Sequence, residues 1–310
     1  MLAKLLRLFL AAEITLYAVM ALHYFDASPA GAALAALGGV LWVRAWITIT
    51  TYLFAWTYHS PSSRLSPLRG LRMVLAEYAA FLVNFVLISP FERLWMGEDR
   101  LGQFGERPPV LLIHGYGCSR GAWWWLRRRL ERAGWQVATI NLEPIYTSID
   151  HYVEPLARRI DAVLAETGAP QLILVGHSMG GLVARAYLAC FGAQRIARLV
   201  TLGTPHAGSR LARIGMGQNA RQMEPGNDWL QALTRQEPAQ LALDTVVIYS
   251  PHDNYVMPQT NLQLAGATQR PINGVGHLAM LFSPRVAGEL RAALEKPVLA
   301  SAGWKLRSQG

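Results

Sequence analysis

Gly176-His177-Ser178-Met179-Gly180-Gly181 sets a serine between glycines, a pattern that can do nucleophilic chemistry. A serine hydroxyl is a weak nucleophile until a base takes its proton and a carboxylate orients that base. Small residues on both sides let the chain turn sharply, so the hydroxyl stands clear of a sheet beside a helix N-terminus. The chain offers a carboxylate downstream in Ser250-Pro251-His252-Asp253-Asn254, and an imidazole in Gly274-Val275-Gly276-His277. In a strand–turn–helix architecture the partners follow in the order serine, acid, histidine, each after a late strand. The expected catalytic set is therefore Ser178, Asp253 and His277. His252 neighbours the acid, His206 follows an earlier strand, and His177 sits on the wrong side of the serine, so these three read as structural. Asp244 precedes its strand and is expected at the opposite sheet edge. Asp228 and Glu224 fall in a loop-like insertion as reserve acids. Acyl transfer also needs preorganised backbone donors for the oxyanion. Met179 N–H, at the helix start, supplies one; Tyr116 N–H, in His114-Gly115-Tyr116-Gly117, is placed to supply the other.

These residues need strands and helices to hold them. Short apolar runs predict strands at Val110–His114, Gln136–Leu142, Gln171–Gly176, Arg198–Leu202 and Thr245–Ser250. Helical periodicity covers Ala122–Ala133, Tyr152–Thr167, Leu182–Phe191 and Pro284–Leu294. Strands alternating with helices at this spacing predict an α/β fold with a mostly parallel, doubly wound sheet. Trp123-Trp124-Trp125 follows the oxyanion loop, but three consecutive residues cannot share one helix face, so packing explains them better than an acyl site. Cys118 and Cys190 are too few for a disulfide framework, lack metal-ligand spacing, and are expected to stay unpaired.

The composition divides the chain. Of 310 residues, 52% are hydrophobic and 16% charged, with mean hydropathy +0.19, which excludes disordered and fibrous classes. Residues 1–91 carry six Lys or Arg and three Asp or Glu, leaving 23 and 17 for residues 92–310. Leu8–Phe25 and Ala30–Trp56 are apolar runs long enough to cross a 30 Å hydrocarbon core, and Met73–Ser89 is marginal. We therefore expect a membrane anchor at 1–91, a linker at 92–107, a catalytic domain at 108–295 and a tail at 296–310. Lys4, Arg7, Arg64, Arg69 and Arg72 place the N-terminus and the link after the second run inside. We expect three spans, which puts the catalytic domain on the periplasmic side of the inner membrane; the alternative, with the third run lying in the interface, makes the domain cytoplasmic. Glu13 and Arg44 fall at matching depths in the first two runs and are expected to pair. The net charge of +9 comes without a nucleic-acid motif, so a membrane surface is the expected basic partner.

Five motifs in order carry a resemblance: His114–Gly117, Gly176–Gly181, the Thr201-Leu202-Gly203-Thr204-Pro205-His206-Ala207-Gly208 segment, Asp253, and Gly276–His277. Together, over about residues 108–295, they resemble the α/β-hydrolase superfamily, and within it bacterial triacylglycerol lipases and esterases. The resemblance implies an acyl-ester lipid substrate, Ser178 as nucleophile, Asp253 and His277 as its partners, and no cofactor. Some such lipases bind structural calcium, but no ligand set matches residue by residue. It also implies a lid over an acyl pocket at about 209–240, with Leu211, Ile214, Met216, Met223, Trp229 and Leu233 as its apolar residues or, equally, as packing onto the sheet. A multi-span N-terminus departs from the secreted relatives. The expected activity is hydrolysis of carboxylic esters, including phospholipids. A thioesterase or acyltransferase would keep the same residues. A membrane binding or transport protein would leave the domain catalytically idle.

Overall fold

The computed structural model describes residues 1–237 and 243–296, so the predicted tail beyond Lys296 and positions 238–240 of the insertion lie outside the described residues. Helix α1 (Leu2–Tyr24) and α2 (Pro29–Thr57) form a hairpin. Ser28 starts α2 by accepting from Gly31 N, with Pro29 in the first turn, where its missing N–H costs nothing. One stripe of α2 is buried: Ala32, Ala36, Val40, Arg44, Thr48, Thr51 and Ala55 recur at helical spacing, while Leu34, Trp42 and Trp46 face outward. Tyr17 of α1 lies against Gly39, where any side chain would collide with its ring. Arg44 meets the Glu13 carboxylate in this hairpin, as their depths predict.

Helix α3 (Pro67–Leu82) continues through a wider turn at Val83–Ile88 and a tight one at Ser89–Phe91 into α4 (Glu92–Trp95). All three apolar helices, the last counted from Pro67 to Trp95, are long and apolar enough to cross a membrane. The third differs in what it touches. Its polar residues Glu77 and Asn84 are buried, Asn84 Nδ2 lies 3.7 Å from Cys118 Sγ, and Glu92 pairs with Arg120. Ala80, Phe81 and Phe85 join the core of the domain that follows residue 107. The face carrying its polar side chains is therefore turned to protein.

The domain that follows is built on six parallel strands in the order β2-β1-β3-β4-β5-β6. They are β1 (Val110–Ile113), β2 (Val137–Ile140), β3 (Leu172–His177), β4 (Ile196–Leu202), β5 (Thr245–Tyr249) and β6 (Thr268–Pro271). The first five are buried along their whole length, as parallel strands covered on both faces must be. On one face pack α5 (Trp124–Arg132), α10 (Pro284–Glu295) and part of α3. On the other pack α6 (Val153–Thr167), α7 (Met179–Phe191) and α9 (Asp228–Gln236). Strand β6, Thr-Gln-Arg-Pro, is half exposed at the sheet edge, and the sequence reading missed it because nothing apolar marks it. Between β4 and β5 the insertion holds a turn at Arg210–Ile214, α8 (Gly217–Gln222) and α9. Cys118, buried, and Cys190, exposed, are both free. Trp123 is wholly buried against His177, while Trp124 and Trp125 lie under Arg128 and Arg129.

Candidate active site

Ser178 ends β3 and begins α7 with φ +55° and ψ −128°, a conformation that costs a non-glycine residue on the order of 1–3 kcal/mol. The surroundings enforce it. Ser178 N donates to Leu202 O of β4 at 2.9 Å, and Gly181 N donates to Ser178 O at 3.1 Å. A side chain at Gly180 would run into the Ile113 and His114 carbonyls, so the glycine is required for helix α7 to approach β1 this closely.

Asp253 lies just past β5 and is fully buried. Its Oδ2 sits 2.7 Å from His277 Nδ1, and its Oδ1 accepts from Tyr255 N and Val256 N at 2.7 and 2.8 Å. His277 stacks on Tyr255, with ring centroids 5.0 Å apart. Burial pushes the His277 pKa down, but the Asp253 charge, its hydrogen bond and the Glu77 charge push it up, and the net is upward. The other buried histidines go the opposite way. Burial lowers His114 to about 4, and takes His177 and His206 well below the usual imidazole value. Local contacts occupy the other histidines too: His114 Nε2 accepts from Leu142 N, His206 Nε2 lies 3.0 Å from Thr201 Oγ1, and the half-buried His252 bridges Gly274 N and Ser63 O. Of the buried imidazoles, His277 alone is both oriented by a carboxylate and raised in basicity. Among the described contacts Ser178 Oγ makes no hydrogen bond to His277; such bonds commonly tighten only when substrate is present.

The residues weighed as rival acids sit elsewhere. Asp244 holds the buried Arg198 guanidinium at 2.9 and 2.7 Å, Asp228 begins α9, and Glu224 faces Arg213. Met179 N–H starts α7 and Tyr116 N–H lies in the loop after β1, and neither donates to another backbone carbonyl among the described residues. The Tyr116 hydroxyl donates to Met216 O and accepts from Met216 N, tying the loop after β1 to the insertion.

Beside Ser178 opens a largely apolar cavity of about 260 Å³. Leu211, Ile214 and Met223 of the insertion line it, with Tyr116 and Tyr255, whereas Leu233 packs onto the sheet and Trp229 Nε1 donates to Asp150. The insertion thus divides between covering the cavity and packing. Ile47 and Thr51 of α2 line the cavity too. A wider, solvent-open basin of about 610 Å³ beside Asp150, Arg221 and Trp229 holds none of the candidate catalytic residues. Among the described residues no three His, Cys, Asp or Glu side chains gather where a metal ion could be held.

The helices preceding residue 92 supply contacts that sequence reasoning missed. Glu77 of α3 accepts from Leu278 N at 2.9 Å and Ala279 N at 2.8 Å, directly after His277. Asn254 Oδ1 accepts from His277 N at 3.0 Å, and its Nδ2 donates to Thr51 Oγ1 of α2 at 2.8 Å. The only signal available was Glu77 and Asn84 interrupting an apolar run.

Comparison with known proteins agrees with this architecture. Residues 108–225 match the family model of the α/β hydrolase fold, and the chain has that fold and resembles bacterial lipases and esterases. A triacylglycerol lipase of Pseudarthrobacter phenanthrenivorans is 37% identical over 114 residues, which cover 34% of this chain and 35% of that one. A pimeloyl-[acyl-carrier protein] methyl ester esterase of Vibrio parahaemolyticus is 31% identical over 101 residues, 33% of this chain and 38% of that one. The chain thus spans little more than a third of these relatives' length. A lipase of Bacillus licheniformis shares the fold at TM-score 0.56 and 18% identity, over 64% of this chain and 96% of its own.

Proposed function

We propose that this protein is a membrane-anchored serine hydrolase that cleaves carboxylic esters of acyl lipids, phospholipids among them. The observation that carries the reading is the buried Asp253–His277 pair, 2.7 Å apart, on the same sheet edge as the strained Ser178 turn and its apolar cavity. In this mechanism His277 Nε2 takes the Ser178 proton as Oγ attacks the ester carbonyl. Met179 and Tyr116 N–H receive the oxyanion, and protonated His277 returns the proton to the departing alcohol. A water deprotonated by His277 then attacks the acyl-enzyme, and the fatty acid leaves as Ser178 regains its proton. The lipase and esterase relatives favour this over an idle domain. Ser178→Ala should abolish both ester hydrolysis and labelling by a fluorophosphonate, a loss of about a million-fold in kcat for a triad nucleophile. Labelling that persists in the variant assigns the nucleophile elsewhere.

The orientation we propose is cytoplasmic, with α1 and α2 crossing the membrane and α3 lying along the domain. Three observations support it over an outer-side domain. The N-terminal amine reaches Glu143, and Ser60 N donates to Gln259 Oε1, so both ends of the hairpin meet the catalytic domain. Lys4, Arg7, Arg64, Arg69 and Arg72 mark those same ends as inside. Helix α3 touches the domain from Glu77 through Glu92, which leaves little of it to cross a bilayer.

A further inference from the structure

The loop that carries His277 is held from both sides by the apolar N-terminal helices. On one side the Glu77 carboxylate of α3 takes the two N–H groups that follow His277, one on each oxygen. Glu77 is 1% exposed, so these charge-assisted bonds are formed away from water, where they are strongest. At Gly276 any side chain would collide with the Glu77 carboxylate and the Tyr52 hydroxyl, so the loop rests directly on these helices. On the other side Thr51 of α2 fixes Asn254, which fixes His277 N. A carboxylate placed there is an expensive choice for an apolar helix, since a buried charge costs several kcal/mol unless paired and hydrogen-bonded. A hydrophobic residue would have served anchoring alone.

We infer that Glu77 is a positioning residue for the hydrolysis: it fixes the His277 loop through the Leu278 and Ala279 N–H groups and, when ionised, adds a second negative charge beside the imidazole. This rests on the proposed reading of Ser178, Asp253 and His277 as the reacting set. It makes the anchor part of the catalytic apparatus. The titratable groups around the loop are Asp253 and Tyr255 after β5, His177 at the end of β3, Tyr52 on α2 and Glu77 on α3. Of these, Asp253 and Glu77 both favour the charged imidazolium, although burial raises Glu77 itself to about 7, so its charge is full only above that pH. The base must be neutral to take the serine proton, so kcat/KM falls as pH drops through the His277 pKa. Removing the Glu77 charge lowers that pKa and moves the acid limb to lower pH.

The test uses the full chain in detergent with p-nitrophenyl butyrate, and rates are divided by active sites titrated with a fluorophosphonate. Glu77→Gln keeps the shape and one acceptor but loses the charge. Its acid limb should move to lower pH and its kcat fall about tenfold, with KM unchanged. Glu77→Ala should lose about 100-fold in kcat per titrated site. The inference is overturned if Glu77→Gln keeps kcat within about threefold and an unmoved acid limb. It is equally overturned if the variants lose only the yield of titratable protein, since a purely structural role predicts that. Should Glu77→Ala yield no titratable protein, the Glu77→Gln profile decides. Ser178→Ala runs alongside: if it still labels and turns over, the reading of the site itself has failed, and not merely the role of Glu77.

Discussion

Asp253→Asn tests the proposed chemistry most directly, because the structure fixes how the amide must sit. Asp253 Oδ1 accepts from Tyr255 N and Val256 N, and Oδ2 faces His277 Nδ1. An asparagine has one oxygen, and turning its NH₂ toward two backbone N–H groups would set donors against donors. The oxygen therefore keeps the backbone bonds, and the NH₂ faces Nδ1. Nδ1 must then accept, which puts the ring proton on Nε2, where it cannot take the proton of Ser178. An equivalent change of tautomer in a serine triad costs about 10⁴ in kcat. At about 1.4 kcal/mol per decade, that is roughly 5 kcal/mol of transition-state stabilisation. The volume barely changes, so circular dichroism melting should move little. The assay is kcat for p-nitrophenyl butyrate at pH 8, per milligram of folded full-length protein. A loss smaller than about tenfold would refute the assignment of Asp253 as the orienting acid.

The remaining predictions concern the anchor. Glu13→Ala leaves Arg44 buried without its carboxylate and should destabilise the protein by about 3–5 kcal/mol, seen as faster thermal inactivation in detergent. Adding Arg44→Leu should restore much of that loss; a double variant as unstable as the sum of the two singles would show the charges to be independent. A reporter active only outside the cytoplasm, fused after Gly310, should stay silent while a cytoplasm-active reporter works there, and the reverse result would place the domain outside.

The sequence by itself determined the chemistry-bearing turn and most of the sheet. Gly176–Gly181 can be read locally because a sharp strand-to-helix turn demands small residues at fixed offsets, and Ser178 occupies it as expected. The first five strands are legible because buried parallel strands are continuous apolar runs; β6 is not, since an edge strand needs no such run. Asp253 and His277 were legible from chain order, but their 2.7 Å approach comes from β5 and the later loop converging on one sheet edge. The Glu13–Arg44 pair could be foreseen because helical rise converts sequence position into depth.

Only the tertiary structure showed what residues 67–95 touch. In sequence Met73–Ser89 is an apolar run interrupted by Glu77 and Asn84, which suits a span or a surface helix. Packed, Glu77 and Asn84 turn inward to the His277 loop and to Cys118. Thr51 and Ile47 likewise look like ordinary anchor residues until α2 is laid beside Ser178 and closes its cavity. Period and composition report which side of a helix is apolar. They do not report what meets it, because that depends on contacts some 200 residues away, as between Glu77 and Leu278.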